Sequence, residues 1–412
     1  MALITLYLLG ITSLSVALGI QIILLPWLVV DHLALGALWV GWVQLAVLIP
    51  NLLLLLVGGM IADQGKGVRY LVPLLIFNSI LHVILAILIY QQWLGILLLI
   101  TYAVLLGISN AFVQPWREYI LNSIKYDQLQ KRIAKSSLCL YGGQAIGVAL
   151  TSLMGKVGAE ILLFIQLFFV LLAVIFMWRL IALLTIQPSG YSNRRPVTRQ
   201  ALLRSGLRDI WSFSALRSLI VIVAFNGFFH IGVFIVILPL LVRQVYGGAV
   251  DFYSGLQLVF VIGTIVSTSV IIYRQPLHNP GSRIIFSLLY GGIILLALSA
   301  KPTVAGLFGL IFLWGIVVGI SSNMGRTILQ SLAPEALRGR MIAIYQLALF
   351  GSASLGALFA GYMIEIIGVL NVLTLSGFTS LLFFIATLLT RSLWNVTLPV
   401  DDVVESTSID AD

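Results

Sequence analysis

Charge is what this sequence has least of. Asp, Glu, Lys and Arg make up 9% of its 412 residues, and hydrophobic residues make up 60%. A soluble domain carries about a quarter charged residues. No soluble fold of this length hides so much apolar surface, so most of it must face hydrocarbon. Cysteine is also nearly missing: Cys139 stands alone, which excludes a disulfide or a cysteine metal site and leaves a packing residue. There is no Gly-x4-Gly-Lys-[Ser/Thr] phosphate loop, and Gly65-Lys66-Gly67 is not one. No His/Cys/Asp/Glu cluster has the spacing of metal ligands. The sequence therefore predicts no catalytic residues, no metal and no cofactor. A formal charge of +9 would suggest nucleic acid in a soluble protein. Here the basic residues flank apolar runs, so membrane topology accounts for them and no nucleic-acid partner is expected.

What is present is a series of apolar runs. A spanning helix needs about 20 mostly apolar residues. Spans are expected near 3–30, 38–62, 70–90, 94–115, 133–155 and 158–186, and again near 217–243, 251–273, 283–300, 303–325, 341–367 and 370–394. With the N-terminus inside, twenty of the twenty-three Lys and Arg residues fall on the inner side; only Lys156, Arg243 and Lys301 do not. That asymmetry follows the positive-inside tendency and predicts twelve crossings with both termini cytoplasmic. The stretch 187–216 is polar and basic; its Leu202, Leu203, Leu207, Ile210 and Trp211 suit a short amphipathic helix at the lipid surface. The tail, 396–412, is acidic.

The chain also repeats itself. Gly19 to Val29, with Leu25-Pro26, recurs as Gly232 to Val242, with Leu238-Pro239, at an offset of 213. Gln44-Leu45 becomes Gln257-Leu258 at the same offset. Ile120-Leu121-x-Ser123 matches Ile328-Leu329-x-Ser331 at offset 208. Offsets near half the chain predict two parallel six-helix halves related by an axis along the membrane normal. The organisation expected is 1–186, a linker at 187–216, 217–395 and the tail. Pro26 and Pro239 predict bends in the outer parts of the first and seventh helices, since proline removes a ladder hydrogen bond; such bends suit either an outer gate or fixed kinks. Gly143 and Gly147 form a small-x-x-x-small pair that predicts close helix packing.

With this layout the chain resembles the major facilitator superfamily. Gly59-Met-Ile-Ala-Asp63-Gln64-Gly65-Lys66-Gly67-Val68-Arg69 is similar to that family's Gly-x-x-x-Asp-Arg-x-Gly-Arg-Arg loop, with Gln64 in place of Arg. Pro115-Trp-Arg117, Leu329-Gln330-x-Leu332-x-Pro334-Glu335-x-Leu337-Arg338-Gly339-Arg340 and Leu355-Gly356-Ala-Leu-x-Ala360-Gly361 resemble the enterobactin-exporter and macrolide-efflux branch. The resemblance implies an all-α major facilitator fold and a monomeric secondary transporter of the inner or plasma membrane. It implies alternating access, coupled to protons, with efflux of an amphipathic small molecule such as a siderophore or drug. It also implies a cytoplasmic gate at Gly59, Asp63, Lys66 and Arg69, with Arg117 as a neighbour. The proline usual beside the glycines of the fifth helix in family antiporters is missing between Leu140 and Ser152. Import of a nutrient, a transport-inactive sensor or scaffold, and a membrane-embedded enzyme remain alternatives, though no carboxylates or histidines group at one membrane face as an enzyme would need.

Polar residues at membrane depth are costly and face a cavity or another helix. Asn51, Asn78, His82, Gln144, Asn226 and His230 lie near mid-depth. The family's first, fourth, seventh and tenth helices line the substrate cavity, which favours Gln21, Asn110, Gln114, Asn226, His230 and Asn323 as its polar lining. For any single amide, interhelical bonding is the more ordinary role. Asn226 and His230 are four residues apart and share a helix face. Asp31 and Glu365 are expected near outer helix ends, and no Asp or Glu falls at mid-depth. Only a histidine there titrates in a range suited to a proton-driven switch.

Overall fold

The computed structural model describes residues 2–63, 70–124, 129–184, 214–273, 279–332, 338–390 and 393–394. Among them are twelve long helices and no strand. The first six are α1 (Ala2–Trp27), α2 (Ala37–Asp63), α3 (Leu71–Tyr90), α4 (Ile96–Ser123), α5 (Leu129–Thr151) and α6 (Met154–Leu183). Next come α7, which starts at Ser214 and runs through π-helical turns to Val245, then α8 (Val250–Tyr273) and α9 (Pro280–Ser299). The last three are α10 (Val304–Leu332), α11 (Arg338–Ile367) and α12 (Val369–Thr390). Backbone groups in hydrocarbon have no water to bond, so helices that satisfy their own ladders are the form this composition requires.

Eleven of these helices are long and apolar enough to cross a membrane. The exception is α5, which packs along α1 and α8. Shielded by protein on two sides, it tolerates a more polar sequence than a lipid-facing helix does. The expected break between the fifth and sixth spans at 156–157 lies slightly earlier. Ser152 and Leu153 form the turn, and Gly158, with φ 87°, interrupts the first turns of α6. The linker and the acidic tail fall almost wholly outside the described residues.

Lipid-facing sides are legible as exposed apolar stripes at helical spacing. On α6 the stripe is Ile161, Phe164, Phe168, Leu171, Ile175 and Trp178; on α12 it is Leu375, Phe378, Leu382, Ile385 and Leu389. In a soluble bundle such stripes would be buried. Tyr70, Tyr90, Trp93, Trp178 and Tyr273 stand exposed near helix ends, as aromatic side chains do at the bilayer boundary.

The repeat reaches the backbone. Two residues after Pro26, α1 ends in a π-helical turn at Leu28–His32. Two residues after Pro239, α7 does the same at Leu241–Val245. The closing bonds correspond: Leu33 N–H to Leu28 O at 2.9 Å and Leu35 N–H to Val29 O at 2.9 Å, against Tyr246 to Leu241 at 3.2 Å and Gly248 to Val242 at 2.9 Å. Each proline takes one donor out of the ladder, and the following turn shifts to a wider register.

Packing repeats as well. In the first half α1 lies along α5 and α6, α2 along α4, and α3 along α6; in the second, α7 lies along α11, α8 along α10, and α9 along α12. Glycines set the closest approaches. A Cβ on Gly19 would collide with Gln144 O, and one on Gly147 with Val16 O. The partners in the second half are Gly232, where a Cβ would collide with Ala353 O, and Gly356, where it would collide with Phe228 O.

This packing makes a prediction. Gly147→Ala gains helix propensity of about 1 kcal/mol, but its methyl group forces α1 from α5 at a cost of about 1–3 kcal/mol. Gly142→Ala on the same helix meets nothing within 4 Å. Thermal unfolding of the purified protein should show a lowered midpoint for Gly147→Ala alone; equal midpoints would remove the close approach from the account.

Candidate functional site

The two halves share a core at the end of the bundle away from the start of α1 and the finish of α12. One large apolar core there draws from both halves, from Val16–Val30 and Leu81–Tyr102 across to Val233–Val250 and Ile294–Trp314. At the end where α1 begins and α12 finishes the core divides. One cluster contains only first-half residues, such as Ile4, Tyr7, Trp116, Ile120 and Met177. The other contains only second-half residues, such as Leu216, Ile284, Ile328, Tyr345 and Leu393. Among the described residues, then, the halves share one core at one end, and at the other each has a core of its own.

Polar contacts gather at the shared end. Asp31 in the π turn of α1 and Arg243 in that of α7 form an ion pair at 3.1 Å. Glu365, near the end of α11, accepts a hydrogen bond from the Leu38 backbone N–H at 3.1 Å. Leu38 is in the first turn of α2, where N–H groups lack helical partners and the helix dipole favours an anion. Gly36, having no side chain, leaves room for that carboxylate. Thr151 on α5 and Ser254 on α8 share a buried hydroxyl bond at 2.7 Å. Trp27 stacks on Tyr253 with centroids 5.7 Å apart. Gly41 and Gly361 let α2 and α11 touch: a methyl group on Gly41 would lie 2.8 Å from Ala357 O, and one on Gly361 would lie 2.7 Å from Ala37 O. Every one of these contacts joins one half to the other.

The expected cavity residues divide into three groups. Gln21 is held inside its own half: Oε1 accepts from Tyr102 OH at 3.0 Å and from Gln166 Nε2 at 2.8 Å. His82 belongs to the same cluster, bonded through Nδ1 to Asn78 O and edge-on to Tyr102. Asn323 likewise bonds within the second half, to Thr268 Oγ1 at 3.0 Å and Gly319 O at 2.7 Å. These amides join neighbouring helices, the ordinary role. Asn110 and Gln114, both half-buried on α4, carry no hydrogen bond within the described residues. Asn226 and His230 line a small cavity of about 80 Å³ between α7, α9, α10 and α11. Four hydroxyl residues share it: Ser287, Ser321, Ser322 and Tyr345. The sequence reading missed these, because a lone serine in an apolar helix usually bonds back to its own ladder.

Asn226 donates from Nδ2 to Ser321 Oγ at 3.1 Å. His230 is buried in the middle of α7, with Nε2 at 3.1 Å from Ser380 Oγ on α12. Gly227–Gly232 around it is π-helical, a form that recurs at functional sites. Gly227, where a methyl group would collide with Leu349 O, brings this turn onto α11.

The expected cytoplasmic gate is only partly described. Gly59 and Asp63 lie in the last turns of α2, where side chains are outside the described set; Lys66 and Arg69 lie outside the described residues altogether. Arg117 is buried near the end of α4.

No curated protein matches the chain by sequence. Solved structures match its fold. The nucleoside transporter NupG aligns with a TM-score of 0.72 at 14% identity, covering 94% of this chain and 99% of that one. An auto-inhibited POT family peptide transporter gives 0.75 at 12% identity, covering 97% and 98%. A D-xylose-proton symporter gives 0.69 at 13%, covering 93% and 96%. These likenesses establish the major facilitator fold. A family model, transmembrane secretion effector, matches residues 5–410, and by that match the chain belongs to the transmembrane secretion effector family of major facilitator transporters.

Proposed function

We propose that this transporter exports an amphipathic, weakly charged small molecule by rocking its two halves, 1–186 and 217–395, about the seam between them. In this reading 187–216 is the connecting linker, 396–412 an acidic tail, and both termini are cytoplasmic in the inner or plasma membrane. The observation that carries it is the asymmetric seam: one core shared by the halves at one end, and two separate apolar clusters at the other, where α1 begins and α12 finishes. With the termini inside, this is the inward-facing half of an alternating-access cycle, the state in which an exporter loads its cargo. The enterobactin-exporter and macrolide-efflux resemblance supports the direction. Asn110, Gln114, Asn226 and His230 are the polar groups we assign to the substrate path.

Proton coupling is part of the proposal. Asp31 and Glu365 are acids, and both make contacts between the halves. Protonating Asp31 discharges its ion pair with Arg243, and protonating Glu365 weakens the bond it accepts from Leu38 N–H, so acidity outside favours outward opening. The resting equilibrium must lie within a few kcal/mol for a modest bias to move it.

Two predictions test this. The Asp31–Arg243 pair is 40–49% exposed, and such pairs contribute about 0.2–1 kcal/mol. Asp31→Asn should therefore shift the population toward outer opening by up to about fivefold. Spin labels on the outer ends of α1 and α7, read by pulsed electron resonance, report that population. Asp31→Arg combined with Arg243→Asp should restore the original distances; a distribution indifferent to all three variants would rule out the latch.

The second concerns direction and coupling. Everted vesicles containing the transporter should accumulate a labelled macrolide or catecholate siderophore when a proton gradient is imposed, and Asn226→Ala should reduce that uptake. Accumulation only in right-side-out vesicles would replace export with import.

A further inference from the structure

We propose that the small cavity in the second half is a hydrogen-bond acceptor subsite, centred on an unpartnered ring nitrogen of His230, that takes a neutral donor group of the transported molecule, an alcohol O–H or an amide N–H. This deepens the reading above and rests on it for the claim that the bound molecule is cargo.

The proton inventory comes first. Ser380 Oγ is 2.8 Å from Leu288 O, a carbonyl that can only accept. The one hydroxyl proton of Ser380 is therefore committed. His230 Nε2 lies 3.1 Å from the same Oγ, so that bond needs its proton from the imidazole. The ring carries hydrogen on Nε2, and Nδ1 presents a lone pair. Nδ1 has no hydrogen-bond partner among the described residues, although the side chain is only 4% exposed. The ring is also fixed. Trp314 and Phe225 stand around it at 6.4 and 6.3 Å. Gly291 faces it so closely that a methyl there would collide with Cε1 and lie 2.9 Å from Nδ1.

The rest of the cavity sets the chemical class. Asn226 gives its amide nitrogen to Ser321, so its Oδ1 remains as a second acceptor. Among the described residues, no Asp, Glu, Lys or Arg lines the cavity. A carboxylate or phosphate would meet the two bare lone pairs and no lining cation, with only hydroxyls and the second Asn226 N–H to bond it. An ammonium would find no carboxylate among the described lining residues. A neutral O–H or N–H satisfies Nδ1 without bringing charge into the membrane. An acceptor left bare in such a site is costly, so a ligand lacking the donor is disfavoured. About 80 Å³ holds one functional group rather than a whole drug-sized molecule, whose pockets are roughly 300 Å³ or more.

The test uses the full-length protein in lipid nanodiscs with 15N-labelled histidine. The chain has four histidines, and His230→Gln identifies the resonance of interest. Without ligand, the 15N shifts should report hydrogen on Nε2 and a bare Nδ1; hydrogen on Nδ1, or on both nitrogens, overturns the proposal. Octanol, octyl methyl ether, octanoate and octylammonium then serve as probes with a common tail. Octanol should move the Nδ1 resonance and bind about fivefold more tightly than the ether, which has no donor. No octanol shift, equal effects of alcohol and ether, or a larger effect of octanoate or octylammonium would each overturn it. Ser380→Ala should release the tautomer, giving a mixture of both forms and a weaker octanol response. None of these readouts depends on rocking, so the subsite and the alternating-access reading fail separately.

Discussion

Hydrocarbon gives apolar helices no hydrophobic reason to associate, and the structure depends on how closely their backbones can approach. Association in lipid comes from van der Waals contact and a few interhelical hydrogen bonds, which favours small residues at helix crossings. Within each half those crossings are tight. Gly19, Gly143 and Gly147 bring α1 onto α5, and Gly227, Gly232 and Gly356 bring α7 onto α11. Amides reinforce them, with Gln166 bridging Ala17 O and Gln21 in one half and Asn323 reaching Thr268 in the other. Between the halves the described polar contacts concentrate at the end away from the start of α1 and the finish of α12. Two packed bodies joined along a seam are what rigid-body rocking requires, because such motion breaks seam contacts and leaves the internal ones intact.

The seam's polar contacts are individually weak. An exposed ion pair contributes less than about 1 kcal/mol, and a carboxylate at a helix N-terminus about 0.3–1 kcal/mol. A stronger lock would hold one state permanently. The choice of contacts therefore matters more than their sum: both Asp31 and Glu365 can be neutralised by a proton, whereas the Trp27–Tyr253 stack and the glycine crossing of Gly41 and Gly361 respond to no ion. In the rocking cycle proposed above, the insensitive contacts set the geometry of closure and the ionisable ones its balance.

Much of this was legible before any coordinates. Twelve long helices follow from run length, eleven of them apolar enough to cross a membrane, and the Pro26 and Pro239 repeat foretold irregularities that the structure resolves into matching π turns. The pair Gly143 and Gly147 foretold a close crossing, and α5 meets α1 there. The amides were harder to read. Sequence spacing gives the depth of Gln21 and Asn323 but not whether a neighbouring helix presents an oxygen to them, and both turned out to bond within their own half. The outer contacts left a clue that went unread: Arg243 was one of three basic residues on the unfavoured side of the membrane, and the structure supplies its compensation in Asp31. Glu365 gave no such clue, since its partner is a backbone N–H and no sequence pattern marks that. Ser321, Ser322 and Ser287 were invisible for a related reason, because a cavity is a property of four helices together.

The missing mid-depth acid takes on a different meaning once the seam and the cavity are considered together. In a site built to bind a cation, a carboxylate at depth would serve recognition and coupling at once, and its protonation would have to follow the cargo's charge. Here the two duties are separated in space. The cavity beside His230 offers only neutral acceptors and hydroxyls, which suits cargo that brings no charge into the membrane. The described acids that join the halves, Asp31 and Glu365, lie near helix ends at the other side of the shared core and are exposed. A neutral cargo relieves the cavity of any need for a countercharge. In the export cycle proposed above, that leaves the acids of the seam free to set which end of the bundle is open.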